Sequence, residues 1–183
     1  MKILAISGSL RRDSYNTKLL RVAAELAPAG VEVELYDGLA SLPPYSAEHD
    51  VEPAPASVGD LRERISAADA LLIATPEYNG SIPGQLKNAI DWASRPFPES
   101  SLRNKPVAIA GASPTAYGAM WAQTDLRRVL GITGARVVGE ELPVAQVATR
   151  FDDEGRLVDP DVRVRLAEHL ELLAAEARVA VVA

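Results

Sequence analysis

The chain has 183 residues, 48% of them hydrophobic and 24% charged, a composition that supports one domain with a full core and argues against a disordered or fibrous chain. Its net charge of −6, with basic residues scattered along the sequence, repels a phosphate backbone or an anionic membrane surface, so no nucleic acid and no membrane is expected as a partner. There are no cysteines, which excludes disulfides, thiolate nucleophiles and iron–sulfur or cysteine zinc ligation; any redox chemistry has to be supplied by a bound cofactor.

The opening stretch MKILAISGSL holds an apolar run too short for a signal h-region, and no later run approaches the length that crosses a bilayer. A cytoplasmic protein is expected. Lys2–Ser7 (KILAIS) is the first of five short strand-like runs, followed by 31–36 (VEVELY), Ala70–Thr75 (ALLIAT), 106–111 (PVAIAG) and 135–139 (ARVVG). Three of them are apolar on both faces, the pattern of parallel strands covered by helices.

Helix-period segments lie between and after these runs. Segment 16–27 carries Leu19, Leu20, Ala23 and Ala27 on one stripe, 58–68 carries Leu61 and Ile65, and 86–93 carries Leu86, Ala89, Ile90 and Ala93; 123–130 and 162–177 add two more. Strands alternating with helices predict a single domain over 1–183: a doubly wound α/β fold with a five-stranded parallel sheet and helices on both faces. Its strand order is of the dinucleotide or the flavodoxin type. Segment 38–57, with Pro43, Pro44, Pro53 and Pro55 among small and polar residues, reads as a long surface loop of the functional or mobile kind. Segment 151–160 (FDDEGRLVDP) reads as a turn or hairpin.

In such a sheet the ligand sits beyond the carboxyl ends of the strands, so the turns there carry the chemistry. The turn after the first strand, SGSLRRDSYNT, lacks both the dinucleotide G-x-G-x-x-G and the triphosphate-binding G-x-x-x-x-G-K-[ST] patterns. It offers hydroxyls, an amide, an arginine and the free N–H groups of a helix start, a set suited to one phosphate dianion. Taken singly, Ser14 or Asn16 reads equally well as a helix cap. After the third strand, TPEYNGSIPG places Pro83 at a helix start, with Gly80 and Gly84 letting backbone approach a flat ligand. A lone Glu77-Tyr78-Asn79 also reads as an ordinary loop with a half-buried tyrosine.

Other candidates carry less. His49 and His169 are isolated, without metal-ligand spacing. Glu48, Asp50 and Glu52 read as a solvated charge cluster, and Asp152, Asp153 and Glu154 lack the spacing of a calcium loop, so no metal site is expected. No nucleophile elbow is present. Trp92 and Trp121 read as packing residues.

The motifs GSLRRDSYNTKLL, LPPYSAEHDVEPAP, ADALLIATPEYNGSIPGQLKNAIDWASRP and KPVAIAGASP, in this order and spacing, resemble the NADPH-dependent FMN reductases of flavodoxin-like fold, a group that includes quinone, azo-dye and chromate reductases. The likeness runs over about residues 2–130 and is most specific in the PEYN segment. It implies an FMN phosphate held by Ser9, Arg11, Ser14, Asn16 and Thr17. The ring would rest on Pro76, Glu77, Tyr78, Asn79 and Gly80, bordered by Ser113. It further implies a homodimer or homotetramer with segment 86–93, Trp92 and Arg95 near the subunit interface. Thr115 and Trp121 depart from the pattern, which often has a glycine and an arginine there.

The activity so implied takes a hydride from NADPH or NADH to the flavin and passes it to FMN, a quinone, an azo compound or a similar small-molecule electron acceptor by a ping-pong route. The flavin carries the chemistry, so no catalytic side chain is expected. A flavodoxin-like electron carrier without NAD(P)H turnover is the alternative.

Overall fold

The computed structural model describes residues 1–182; Ala183, the last residue of the expected domain, lies outside them. In chain order the elements are β1 (Lys2–Ser7), α1 (Tyr15–Glu25), β2 (Glu32–Tyr36), α2 (Ala56–Ala67), β3 (Ala70–Thr75), α3 (Gly84–Ala93), β4 (Pro106–Ala112), α4 (Met120–Ile132), β5 (Arg136–Val137), β6 (Leu142–Val144) and α5 (Pro160–Val182). The ladders are parallel in the order β2-β1-β3-β4-β5, which is the flavodoxin order. Its register sets Ile3 beside Val33 on one side and Ala70 on the other.

Helices cover both faces because alternate strand residues point to opposite sides. Leu4, Ile6, Leu71, Ile73, Val107 and Ile109 pack with Leu61 and Ile65 of α2, Leu86 and Ile90 of α3, and Leu126 and Leu130 of α4. On the other face Ile3, Ala5, Leu72, Ala74, Ala108 and Ala110 pack with Leu19 and Leu20 of α1 and Leu166 and Leu170 of α5.

The fifth sheet position departs in detail from the single strand expected over 135–139. β5 pairs only with Pro106 and Val107 at the start of β4, and β6 pairs with Ala110, Gly111 and Ala112 at its end. Between them the chain turns through Gly139 at φ +67°, where a Cβ would meet Leu172 of α5 at 2.9 Å. The turn at Gly139 thus ends the expected strand early, and the second half of the sheet edge is supplied by β6 from outside it.

Segment 38–57, expected as a functional or mobile surface loop, is anchored. A 3-10 turn forms at Gly38–Ser41, Gln85 Nε2 donates to the carbonyls of Leu39 and Leu42, and Trp92 Nε1 and Asn88 Nδ2 both donate to the Pro43 carbonyl at 2.8 and 2.9 Å. The Tyr45 ring then packs edge-on against Trp92. Asp50 is not merely solvated either, since it accepts from Arg62 at 2.7 Å.

Trp92 is fully buried as expected, but Trp121 is 52% exposed, with its ring tilted against that of Tyr117 at 4.7 Å between centroids. The buried stripe of α4 runs through Ala122, Gln123, Leu126, Val129 and Leu130, which turns residue 121 outward. Segment 151–160 closes through an antiparallel bridge between Phe151 and Leu157, the expected hairpin. Among the described residues no helix is long and apolar enough to cross a membrane.

Candidate functional site

The turns that leave the carboxyl ends of β1, β3 and β4 meet in one cleft of about 230 Å³. It is lined by Ser9, Arg11, Ser14, Tyr15 and Asn16 from the first, Pro76, Glu77 and Tyr78 from the second, and Ala112, Ser113, Pro114 and Thr115 from the third, with Val147 closing one side. Eight of the expected residues therefore converge: Ser9, Arg11, Ser14, Asn16, Pro76, Glu77, Tyr78 and Ser113. Thr17, Asn79 and Gly80 lie outside the lining.

In the first turn the side chains divide the work. Ser14 is the N-cap of α1, its Oγ accepting from Thr17 N at 3.4 Å. Thr17 Oγ1 donates inward to Ser7 Oγ at 2.9 Å, which explains its absence from the cleft. The Asn16 side chain is buried and bonded to the backbone of Ala112, so its amide is committed within the fold. The N–H groups of Tyr15 and Asn16 belong to a first helical turn, which has no intrahelical acceptor. Ser9 Oγ accepts from Arg11 N at 3.3 Å and shapes the turn. Lys18 pairs with Asp13 at 2.6 Å and holds that carboxyl below its usual range, leaving Arg11 exposed and without an ion-pair partner among the described residues. Free N–H groups, a helix N-terminus and an unpaired guanidinium give this end of the cleft the chemistry that suits an anion.

The second turn is a tight hairpin. Tyr78 N and Ser81 N exchange bonds with each other's carbonyls at 3.0 and 3.1 Å, and the two residues between, Asn79 at φ +53° and Gly80 at φ +74°, are both left-handed. This is the type I′ geometry that an Asn-Gly pair favours. Asn79 and Gly80 shape the turn and Tyr78, 48% exposed, stands on its cleft side. Two bonds dock the hairpin onto α4: Glu77 Oε2 accepts from Ala122 N at 3.1 Å, and Ser81 Oγ donates to Asp125 at 2.5 Å. Asp125 is held below the usual carboxylate range, first by Ser81 and then by Arg128. Pro83, expected at the start of α3, is its N-cap.

The third turn is held from within. Ser113 N donates to Val144 O at 3.1 Å, Val147 N donates to Ser113 O at 3.1 Å, and Ser113 Oγ accepts from Thr115 N at 3.2 Å. Ser113 is only 6% exposed, so it forms a wall of the cleft. Tyr15, Ala112, Pro114, Thr115 and Val147 complete the lining although none had been assigned a binding role; Val147 follows β6, a three-residue strand with no sequence signal of its own.

Glu77 and Arg11 are the charged side chains of the lining, and the carboxylate of Glu77 is committed to α4. No nucleophile–base pair is assembled there. The cleft joins its Arg11 end to a wall of Pro76, Tyr78, Pro114 and Val147, an arrangement whose chemistry suits a flat apolar ring system carrying a phosphate. A second groove of about 450 Å³ shares Ser9 and lies toward β2, between Leu20, Arg21, Leu35 and Asp37. His169 is away from both, its Nε2 against the Ile109 carbonyl at 3.0 Å and its pKa pushed down chiefly by burial. Among the described residues no cluster of His, Asp and Glu could hold a metal ion.

Residues 1–149 match the family model described as NADPH-dependent FMN reductase. The chain is 44% identical over 174 residues to an NAD(P)H-dependent FMN reductase of Pseudomonas aeruginosa, covering 94% of this chain and 93% of that one. It is 40% identical over 179 residues to a 2-hydroxy-1,4-benzoquinone reductase of Burkholderia sp, covering 97% of each. The structure superimposes on the flavoenzyme NAD(P)H:(acceptor) oxidoreductase FerB of Paracoccus denitrificans with a TM-score of 0.83 at 35% identity, over 96% of this chain and 98% of that one.

Proposed function

The chain belongs to the NADPH-dependent FMN reductase family and is an FMN-dependent NAD(P)H oxidoreductase, and on that premise we propose that the cleft between Arg11 and Thr115 holds the FMN and that a quinone is its electron acceptor. The observation that carries the placement is the convergence of three distant turns on one cleft with an anion receptor at one end and an apolar wall at the other. The residues fit the group: Arg11, Ser9 and the first-turn N–H groups of Tyr15 and Asn16 match a phosphate, and Pro76, Tyr78 and Ser113 flank a planar ring. A cleft of about 230 Å³ is smaller than the ~300–1,000 Å³ of sites that enclose a ligand, so a bound FMN would be left partly open to solvent.

Bound FMN supplies the chemistry of accepting a hydride and passing it on. The chain's own residues bind and orient. Arg11 and the α1 N-terminus would hold the anionic end and the hairpin of Tyr78 and Ser81 would support the ring, while the bonds of Glu77 and Ser81 to α4 keep that hairpin in place. A cofactor left open on one side would be reached there by the nicotinamide and by the acceptor in turn. The quinone reading follows the Burkholderia relative's name. The carrier alternative is not favoured, because relatives matching nearly the whole chain are named as reductases.

The same reading makes the protein a cytoplasmic homodimer or homotetramer with the interface near α3 and Arg95. Supporting it, a groove of about 390 Å³ between α3 and α4 is flanked by Phe97 and Ile132, each 73% exposed. Sedimentation velocity of the wild type and of Ile132→Glu tests this: a monomeric wild type refutes it.

Initial rates with NADPH, NADH and 1,4-benzoquinone at several fixed concentrations test the function. Parallel double-reciprocal lines that depend on added or retained FMN are expected. Absence of any FMN-dependent NAD(P)H oxidation would refute the reading.

A further inference from the structure

Asn16 is the second residue of α1 and only 3% exposed, yet its side chain bonds nothing in its own helix. Its Oδ1 accepts from the N–H of Ala112 at 2.9 Å and its Nδ2 donates to the C=O of the same residue at 3.0 Å, across a separation of 96 residues. The polarity of the amide is fixed by this pairing, since an N–H needs an oxygen opposite it and a carbonyl needs a donor.

The place of the contact explains it. Ala112 is the last residue of β4, and the ladder with β3 stops one residue earlier, at Thr75 beside Gly111. The amide of Asn16 takes the place of the missing strand neighbour and supplies both of its bonds. Ser113, a wall of the cleft, is the next residue. One side chain therefore ties the anion-binding turn after β1 to the turn after β4.

We propose that Asn16 is a positioning residue that sets the spacing between the phosphate end and the ring end of the cleft, so that FMN engages both at once. This rests on the cofactor placement argued above. A ligand held at two ends gains affinity because the second contact is intramolecular, and that gain falls when the two half-sites are out of register even if each is intact. The amide acts on the register, and its side-chain acceptor and one donor are already committed within the fold.

Calorimetric titration of apo wild type, Asn16→Ala and Asn16→Asp with FMN, riboflavin and inorganic phosphate tests the proposal. Asn16→Ala should weaken FMN by roughly tenfold or more while riboflavin and phosphate stay within about twofold, the signature of lost bivalence. Asn16→Asp adds a pH readout. Its carboxylate can accept from Ala112 N–H but cannot donate to the Ala112 carbonyl, whereas the protonated acid does both. FMN affinity of Asn16→Asp should therefore approach that of the wild type as the pH falls, while Asn16→Ala keeps a constant deficit. Arg11 and Glu77, the charged side chains lining the same cleft, are common to all three proteins and drop out of the comparison.

A fall in phosphate affinity parallel to that for FMN would overturn the proposal in favour of a direct phosphate contact. Equal losses for all three ligands with a lowered melting temperature would reduce Asn16 to a scaffold residue. A pH-independent deficit in Asn16→Asp would remove the amide pairing as the cause. If the wild type bound none of the ligands, the cofactor placement itself would fail, and this inference with it.

Discussion

The carboxylate of Glu77 accepts a hydrogen bond from the backbone N–H of Ala122 at 3.1 Å, so the turn after β3 caps the helix that follows β4. α4 lacks a cap of its own, because Ala119 stands at the N-cap position in a left-handed conformation with no side chain to accept. A carboxylate at that helix end satisfies an orphan donor and meets the positive end of the helix dipole.

Glu77→Ala should destabilise the apo protein by about 0.5–2 kcal/mol, the range for loss of an N-cap acceptor. Glu77→Gln keeps an acceptor but not the charge, and should fall between the two. Urea denaturation of the three proteins checks the order, and equal stability of all three would show that α4 does not depend on Glu77.

Arg11→Ala removes the unpaired guanidinium of the anion receptor. It should weaken FMN by about 1–3 kcal/mol, the range for a charge-assisted contact, and leave riboflavin unaffected. Fluorescence titration with both flavins separates the phosphate contribution from the ring.

Asn79→Pro forces φ from +53° to about −65° and destroys the type I′ turn. Riboflavin binding should be lost while inorganic phosphate still competes with FMN at wild-type strength. Survival of riboflavin binding would place the ring elsewhere.

Trp92→Phe deletes the Nε1 bond to the Pro43 carbonyl, which still accepts from Asn88. The cost should be about 1 kcal/mol, near the lower end for a buried hydrogen bond. Hydrogen exchange should quicken across residues 38–57 and stay unchanged in β1 and β3.

His169 titrates below its ordinary value of 6.5 because it is buried against β4 and close to Arg165 and Arg127. The unfolded chain then binds more protons than the folded one as the pH drops from 6.5 toward the lowered value, so stability falls with falling pH in that window. His169→Gln, which keeps a donor for the Ile109 carbonyl, should show a flatter dependence of melting temperature below about pH 6.5.

Much of this was legible in the sequence for a physical reason. Strands such as Ala70–Thr75 are apolar on both faces because helices cover both sides of the sheet, and that leaves a pattern any reader can count. The turns of the site were legible from their place after the strands and from their glycines, hydroxyls and helix starts; that Asn79-Gly80 closes a type I′ hairpin was not read, although such a pair is a hairpin signal. Partners distant in sequence were not legible. Nothing around Asn16 announces that its amide ends on Ala112, and the carbonyl of Pro43 that anchors segment 38–57 is a group every residue possesses. β6 was missed because three residues containing Pro143 show no period, and the outward face of Trp121 depends on how α4 is rotated against the sheet.

Flavin absorbance followed in a single anaerobic cuvette tests the cofactor placement and the activity together most directly. Protein loaded with FMN and freed of excess by gel filtration should keep its flavin band, lose it on addition of NADPH or NADH, and regain it when 1,4-benzoquinone is added; the same protein carrying Arg11→Ala should retain less flavin at the outset. A band that persists after the nucleotide, or no flavin retained by the wild type, would contradict it.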